Sequence, residues 1–458
     1  MRKIFLALIA TAAVAAIALT GCKESKNEPT PTPTPLDNPI DVRKNGVEFV
    51  QDCQLTPGIY VLDNSEKTLR SLRYVPQSKG LMYFMDYDVH FPWEKFIRDG
   101  VKTPRYKVND FQPFNDDVNR EFYGSVEMAF GPYINAPRGC SGFVCKNPNG
   151  ELLFGRNLDG IPGAMVILFN KNPRPGEYKS VMLSNITYAQ RWNGTDVYDK
   201  DSCLLNPKTN IDVMLRQNTA VMDGMNEYGL CFAAYQLPNT QDSTEIEFPN
   251  DTKRPVSIDQ QVQGKEQITL SVLHHLMLST CKTVKDVIKL FNKYNYTTLL
   301  SKTNVHWFVA DAGGDYRVFE YWNRYDKNSH TWKDTLYIMG ENDRMAGTHG
   351  SLSQVPYEYF SIENYYANPE ANYTFNTDRW QNTFSNKTRV HRMMSAYTPV
   401  MTEEQALLCL QEGNFGMEIP GQVTDWSCVY NPVKGTLLFN MRDDMSAVYS
   451  INVFEELK

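Results

Sequence analysis

The sequence predicts an α+β protein made of antiparallel sheets covered by helices. Three observations carry that reading. Short apolar runs face each other across compact turns: 141–145 and 152–156 flank Asn147-Pro148-Asn149-Gly150, and 305–311 and 316–322 flank Ala312-Gly313-Gly314. Segments 267–278 and 284–294 instead carry apolar residues at helical spacing. The hairpins come in blocks separated by helix pairs, not in the strand–helix alternation that winds a parallel sheet.

The chain opens with Arg2 and Lys3, an apolar stretch over 4–19, and then Leu19-Thr20-Gly21-Cys22. A basic start, an apolar core and small residues before the cut make a secretory signal. The apolar run is about as short as a spanning helix tolerates, and charged residues follow it at once. Leu-Thr-Gly-Cys resembles the lipobox of bacterial lipoproteins, which implies that Cys22 becomes the lipidated first residue. Residues 1–21 are then the signal peptide, and the proline-rich stretch 22–40 is an extended tether. The expected address is the bacterial cell envelope, at the outer membrane or cell surface, with the lipid on Cys22 holding the membrane.

Residues 41–139 form a leader with apolar runs at 58–62 and 81–85 and an amphipathic piece near 93–97. Gly131-Pro132 and Ala136-Pro137-Arg138-Gly139 punctuate its end. Beyond Cys140, strands are expected at 141–145, 152–156, 164–170 and 179–183, and a hairpin at 220–235 turns at Asn226-Glu227-Tyr228-Gly229. After the two helices and the 305–322 hairpin come helices at 389–396 and 403–410, the latter opened by Thr402 with Glu403 and Glu404 behind it. Hairpin-like runs over 427–453 close the chain.

Composition excludes some functions. The chain is 42% hydrophobic and 22% charged, enough apolar content for a sizeable core. Its net charge of -7, with no concentrated basic run, argues against a nucleic-acid partner. Of nine cysteines, Cys22 is spent on lipid, and the remaining eight could make four disulfides, a low density for this length. No pair has CxxC spacing and no Cys/His group has zinc spacing, so neither metal nor cofactor is expected. His274-His275 reads as part of a packed helix, since adjacent positions point to different faces.

The most informative stretch is CSGFVCKNPNGELLFGRNLD, from Cys140 to Asp159. It resembles the cysteine N-terminal nucleophile hydrolases of the choloylglycine hydrolase family, which includes bile-salt hydrolases and penicillin V acylases, with acid ceramidase and N-acylethanolamine acid amidase as relatives. There a cysteine opens the mature chain and an Arg-Asn-x-Asp element closes the first hairpin, here Arg156-Asn157-Leu158-Asp159. Three further stretches follow in the family's order: Asp223 to Leu230 (DGMNEYGL), Val305 to Asp311 (VHWFVAD) and Thr388 to Arg392 (TRVHR).

That resemblance implies an αββα sandwich over 140–458 preceded by a small prosegment at 41–139. It implies hydrolysis of linear amide C–N bonds in an N-acyl amide, of the conjugated bile acid, N-acyl lipid amine or penicillin V type, after autoproteolysis at Gly139-Cys140. Cys140 is the expected nucleophile, Arg156 and Asp159 its supports, and Arg389 the late active-site arginine. Gln236 takes the place of an oxyanion asparagine. The second oxyanion asparagine is replaced by His349, after Thr348, with Asn342 as another candidate. An acyltransferase using the same acyl-cysteine, or an inactive lipid-anchored binding protein, are the alternatives. Homo-oligomerisation is left open.

The chemistry can also be built from the residues. A thiol of pKa near 8.5 is only a few per cent ionised at neutral pH and needs a base. An α-amine freed on Cys140 would have a pKa of about 7.7–8.0 and sit on the same residue. Bland roles stand beside these functional ones. Cys140 could be a small buried apolar group, Asp223-Gly224 and Asn226 turn chemistry, and Arg389 a surface ion-pair partner. Trp307 and Tyr235 read as core.

Overall fold

The computed structural model describes residues 39–41, 48–49, 64–90 (79 apart), 93, 97, 140–160, 163–186, 214–237 (216 apart), 258–298, 304–339 (327 and 330 apart), 360–363, 393–414 (394 apart) and 423–458 (443, 445 and 446 apart). The expected signal peptide (1–21) and, apart from residues 39 and 40, the expected tether (22–40) with Cys22 lie outside them, as do Cys53, Cys203, Asn342, His349 and Arg389. Of the helix expected at 389–396, only Met393, Ser395 and Ala396 are described.

Among the described residues, the strands before Cys140 are β1 (Ile40–Asp41), β2 (Glu48–Phe49), β3 (Arg73–Tyr74) and β4 (Met82–Asp86). The rest are β5 (Ser141–Lys146), β6 (Leu152–Gly160), β7 (Met165–Asn170), β8 (Ser180–Asn185), β9 (Val221–Asn226), β10 (Cys231–Gln236), β11 (Gln267–Ile268), β12 (Asn295–Tyr296), β13 (Val305–Ala310), β14 (Tyr316–Asp326), β15 (Thr331–Met339), β16 (Phe360–Glu363), β17 (Val423–Asn431), β18 (Thr436–Met441) and β19 (Val448–Asn452). The helices that the described residues complete are α1 (Ser65–Arg70), α2 (Leu270–Thr280), α3 (Val284–Lys293), α4 (Glu403–Glu412) and α5 (Val453–Glu456). The expected hairpins and both long helix pairs' described members thus fall where the periodicity puts them, with ends shifted by a few residues. Thr402 makes a full capping box with Gln405, which accounts for the start of α4.

Two large sheets result. One runs β1-β19-β18-β17-β6-β5-β16, the other β15-β14-β13-β10-β9-β8-β7-β4-β3-β2. Their facing sides form one hydrophobic core, with Phe154 of β6 against Phe308 of β13 at 4.7 Å between ring centroids. Helices α2 and α3 cover the outer side of the larger sheet, where Phe291 stacks on Phe319 at 4.4 Å and Trp307 donates to His274 at 2.8 Å. Helix α4 covers the outer side of the smaller sheet, and the Leu410 carbonyl accepts from Asn157 Nδ2 at 2.9 Å. The layering is αββα.

Alternation along a strand decides what faces what. In β6, Phe154 and Arg156 point inward while Gly155 and Asn157 point at α4. Gly142 of β5 also faces inward, and there only glycine fits. A Cβ would lie 2.3 Å from the Tyr235 hydroxyl and 2.6 Å from the Gly155 carbonyl oxygen.

The pairing is antiparallel except at three places. β4 runs parallel to β7 from Met82↔Met165 to Asp86↔Phe169, β1 runs parallel to β19, and the short β11 runs parallel to β12. In the two large sheets the parallel strands β1 and β4 come from the stretch before Cys140, joined to their partners by the long connections that parallel pairing requires. No hairpin signal could mark them, because their partners are remote in sequence.

Candidate active site

Cys140 sits immediately before β5, on the strand side that faces the larger sheet, and is 5% exposed. Its thiol lies 3.7 Å from the Asp159 main-chain carbonyl, to which it can donate. The β5–β6 ladder produces this approach. Ser141 pairs with Asn157 and Gly142 with Arg156, so the end of β6 returns beside the residue that opens β5. The turn Asn147 to Gly150 sets that register: Asn147 Oδ1 accepts from the main-chain N–H of Asn149 and Glu151, and Gly150 takes φ +83.

Arg156 is fully buried. Its Nε lies 2.7 Å from Asp223 Oδ2, and its Nη2 donates to the Ala234 carbonyl at 3.0 Å. Burial works against the guanidinium charge, but the carboxylate of Asp223, with Cys140 and Tyr235 close by, holds it charged and above its ordinary pKa. Asp223 also accepts from the Tyr430 hydroxyl at 2.6 Å and Trp426 Nε1 at 3.3 Å. Burial pushes its carboxyl up, and Arg156, Tyr430 and Trp426 oppose that shift. Asp223 is therefore an inter-sheet partner of Arg156 inside β9, not a turn residue.

Asp159 is buried and its Oδ1 accepts from the Thr424 hydroxyl. Tyr235, fully buried, lays its ring 5.4 Å from the Arg156 guanidinium carbon, and its hydroxyl has no hydrogen-bond partner among the described residues. Burial raises its phenol well above the ordinary value, so it stays a neutral donor. The core assignments of Tyr235 and Trp307 hold. Gln236 ends β10, partly exposed and paired with Val305.

Asn226 is spent on structure. Its Oδ1 accepts from Tyr228 and Leu230 N–H, and its Nδ2 donates to the Leu278 and Cys281 carbonyls. His274 is a packed helix residue: its Nδ1 meets the Val221 carbonyl at 2.8 Å, its Nε2 accepts from Trp307, and burial lowers its pKa to about 3. Six described cysteines are free, among them Cys145 and Cys281, whose thiols burial pushes up to about 12. Four disulfides are thus excluded. Among the described residues no cluster has the ligands for a metal ion.

The structure brings Cys140, Arg156 and Asp159 together, whereas His349, Asn342 and Arg389 lie outside the described residues. Sequence reasoning missed Asp223, Thr424 and Asp425 as neighbours of the site. Asp223 stood in a quoted motif, but its partner is on another sheet. Thr424 and Asp425 lie in β17, and nothing local distinguishes them.

Paired sheets between helix layers, with a cysteine opening an inner strand beside a buried arginine and aspartate, define the class. Residues 140–329 match the family model of the linear amide C-N hydrolases, choloylglycine hydrolase family. That match takes in the stretches Cys140 to Asp159, Asp223 to Leu230 and Val305 to Asp311, and the protein is a hydrolase acting on linear amide C–N bonds. Two variants of conjugated bile acid hydrolase from Clostridium perfringens are similar in structure, at 15% and 14% identity. They cover 68% and 69% of this chain and 92% and 93% of their own, with TM-scores of 0.39 and 0.42. Penicillin V acylase from Agrobacterium tumefaciens is similar at 12% identity over 69% of this chain and 89% of its own, with a TM-score of 0.36. Comparison with curated protein sequences gives no match.

Proposed function

We propose that the protein is a lipid-anchored cysteine N-terminal nucleophile amidase, matured by cleavage at Gly139-Cys140, acting on N-acyl amides with a large apolar acyl group. The observation that carries this reading is the placement of the Cys140 thiol against the end of β6, with Asp159 and the charged Arg156 beside it.

In the mature chain the Cys140 α-amine takes the thiol proton, and the sulfur attacks the substrate carbonyl carbon. Arg156 supports the thiolate electrostatically, and Asp159 accepts hydrogen bonds from the ammonium that forms. The tetrahedral oxyanion needs preorganised donors, for which Gln236 and either His349 or Asn342 are the candidates. The ammonium returns its proton to the leaving amine as the C–N bond breaks, leaving an acyl-thioester on Cys140. Water then attacks that thioester with the amine as base, releasing the acid and restoring the thiol.

Two measurements test this. Mass spectrometry of purified protein should find a fragment beginning at Cys140, and Cys140→Ala should remain full length. An active protein uncut at that bond rejects the mechanism. A panel of chromogenic amides differing only in acyl group should show kcat/KM rising with acyl length, since each buried methylene is worth about 0.8 kcal/mol. A flat or falling profile rejects the apolar-acyl assignment.

A further inference from the structure

Strand β17 pairs with β6 through a register shift between Thr424 and Trp426, so Asp425 is the extra residue of a β-bulge opposite Leu158 and Asp159. Bulges re-aim side chains and collect beside active sites. Trp426 reaches across to Asp223 of the other sheet, and Thr424 donates to Asp159 of the neighbouring strand. The bulge lets Asp425, next to Trp426, also turn towards the other sheet, where it meets Asn185.

There Asp425 ties three pieces of chain together. Its Oδ1 accepts from the Gly163 main-chain N–H at 3.0 Å, just past the end of β6, and its Oδ2 accepts from Asn185 Nδ2 of β8 at 2.6 Å. Arg442, after β18, donates from Nη2 to the Gly163 carbonyl at 3.3 Å, places Nε 3.8 Å from Asp425 Oδ1, and donates its main-chain N–H to the Asp425 carbonyl at 3.2 Å. Arg442 does this from φ 44, and Asn64 is the other described non-glycine residue with positive φ. Left-handed backbone at an arginine is strained and persists where surrounding contacts over-determine it. Gly163 is bound on both its N–H and its carbonyl, four residues beyond Asp159.

We infer that Asp425 and Arg442 are positioning residues: with Asn185 they latch the crossover from β6 to β7, and so hold Asp159 against Cys140. Neither touches the reacting atoms. The inference rests on the reading of Cys140 and Asp159 as the catalytic pair. The charged groups that face Asp425 among the described residues are Asp159 of β6 and Arg442; β8 offers the uncharged Asn185.

The test compares steady-state kinetics and pH profiles of Asp425→Ala, Asp425→Asn, Arg442→Gly and Cys140→Ala in the full chain. Asp425→Ala frees the Gly163 and Asn185 donors and should lower kcat about 10–100-fold, the scale of a 1 Å misplacement, with KM within about threefold. Asp425→Asn keeps an uncharged acceptor and should restore kcat to within about threefold at pH 6, flattening any alkaline fall. Arg442→Gly relieves the backbone while removing the guanidinium, and should lower kcat with folding retained. A folded Asp425→Ala with kcat within twofold of wild type overturns the latch. So does equal loss in Asp425→Ala and Asp425→Asn at every pH. If Asp425→Ala does not fold, Arg442→Gly decides, and unchanged kcat there overturns it. Activity surviving in Cys140→Ala would instead sink the underlying reading of the site.

Discussion

Asp425 differs from its neighbours in how its charge meets the fold. Burial raises its carboxyl to about 8, Arg442 and the Gly163 and Asn185 donors pull it down, and Asp159 pushes it up. An unfolded aspartate titrates near 3.9, so between about pH 4 and 8 the folded state binds the extra proton. Stability from this residue is therefore present at low pH and lost as pH rises towards 8. Urea unfolding of wild type and Asp425→Asn should show the variant gaining relative stability as pH goes from 5 to 8. A constant difference over that window would mean that Asp425 is ionised throughout. Arg156 and Asp223 are fully buried and paired at 2.7 Å, so removing one partner would strand the other at a cost of about 3–5 kcal/mol.

At the scale of elements, Cys140, Arg156 and Asp159 stand at or within β5 and β6, and the two sheets approach closely at Gly142. Gly142→Ala would force a methyl group against the Tyr235 hydroxyl and the Gly155 carbonyl. Part of that is backbone, which cannot swing aside as a flexible side chain can. The substitution should cost about 1–3 kcal/mol by chemical denaturation and also reduce the proposed cleavage before Cys140, because the strand it displaces begins at the proposed nucleophile. Wild-type stability and full cleavage would show that the sheets are free to separate there. Gly150→Ala makes a contrast, since its φ of +83 is strained for alanine but nothing lies within 4 Å of the new carbon. Any loss there is conformational.

At the scale of the whole molecule, the leader is woven into both sheets. β4 lies between β3 and β7, with Met82 and Met85 fully buried, and Tyr87 donates through its hydroxyl to the Leu215 carbonyl at 2.7 Å. Residues 37–458 accordingly cluster as one compact unit. Cleavage at Gly139-Cys140 would break one covalent bond and leave these contacts in place. The two fragments are expected to co-elute on size exclusion without denaturant and to separate only in urea. A 140–458 fragment that elutes alone and active would show that the leader is dispensable once the chain has folded.

The sequence by itself determined the α+β class, the β5–β6, β9–β10 and β13–β14 hairpins, helices α2, α3 and α4, and the grouping of Cys140, Arg156 and Asp159. All of these depend on residues near one another in the chain: turn residues such as Gly150, a cap such as Thr402, apolar spacing, and a motif confined to one hairpin. Only the tertiary structure decided that Asp223 neutralises Arg156, that Asp425 reaches Gly163 and Asn185 through a bulge, and that β4 runs parallel to β7. Those pairings join residues far apart in sequence, and local propensity has no term for a partner that arrives only when the sheets close. Burial then makes them matter, because a charge removed from water must find its counter-charge wherever the fold has put it.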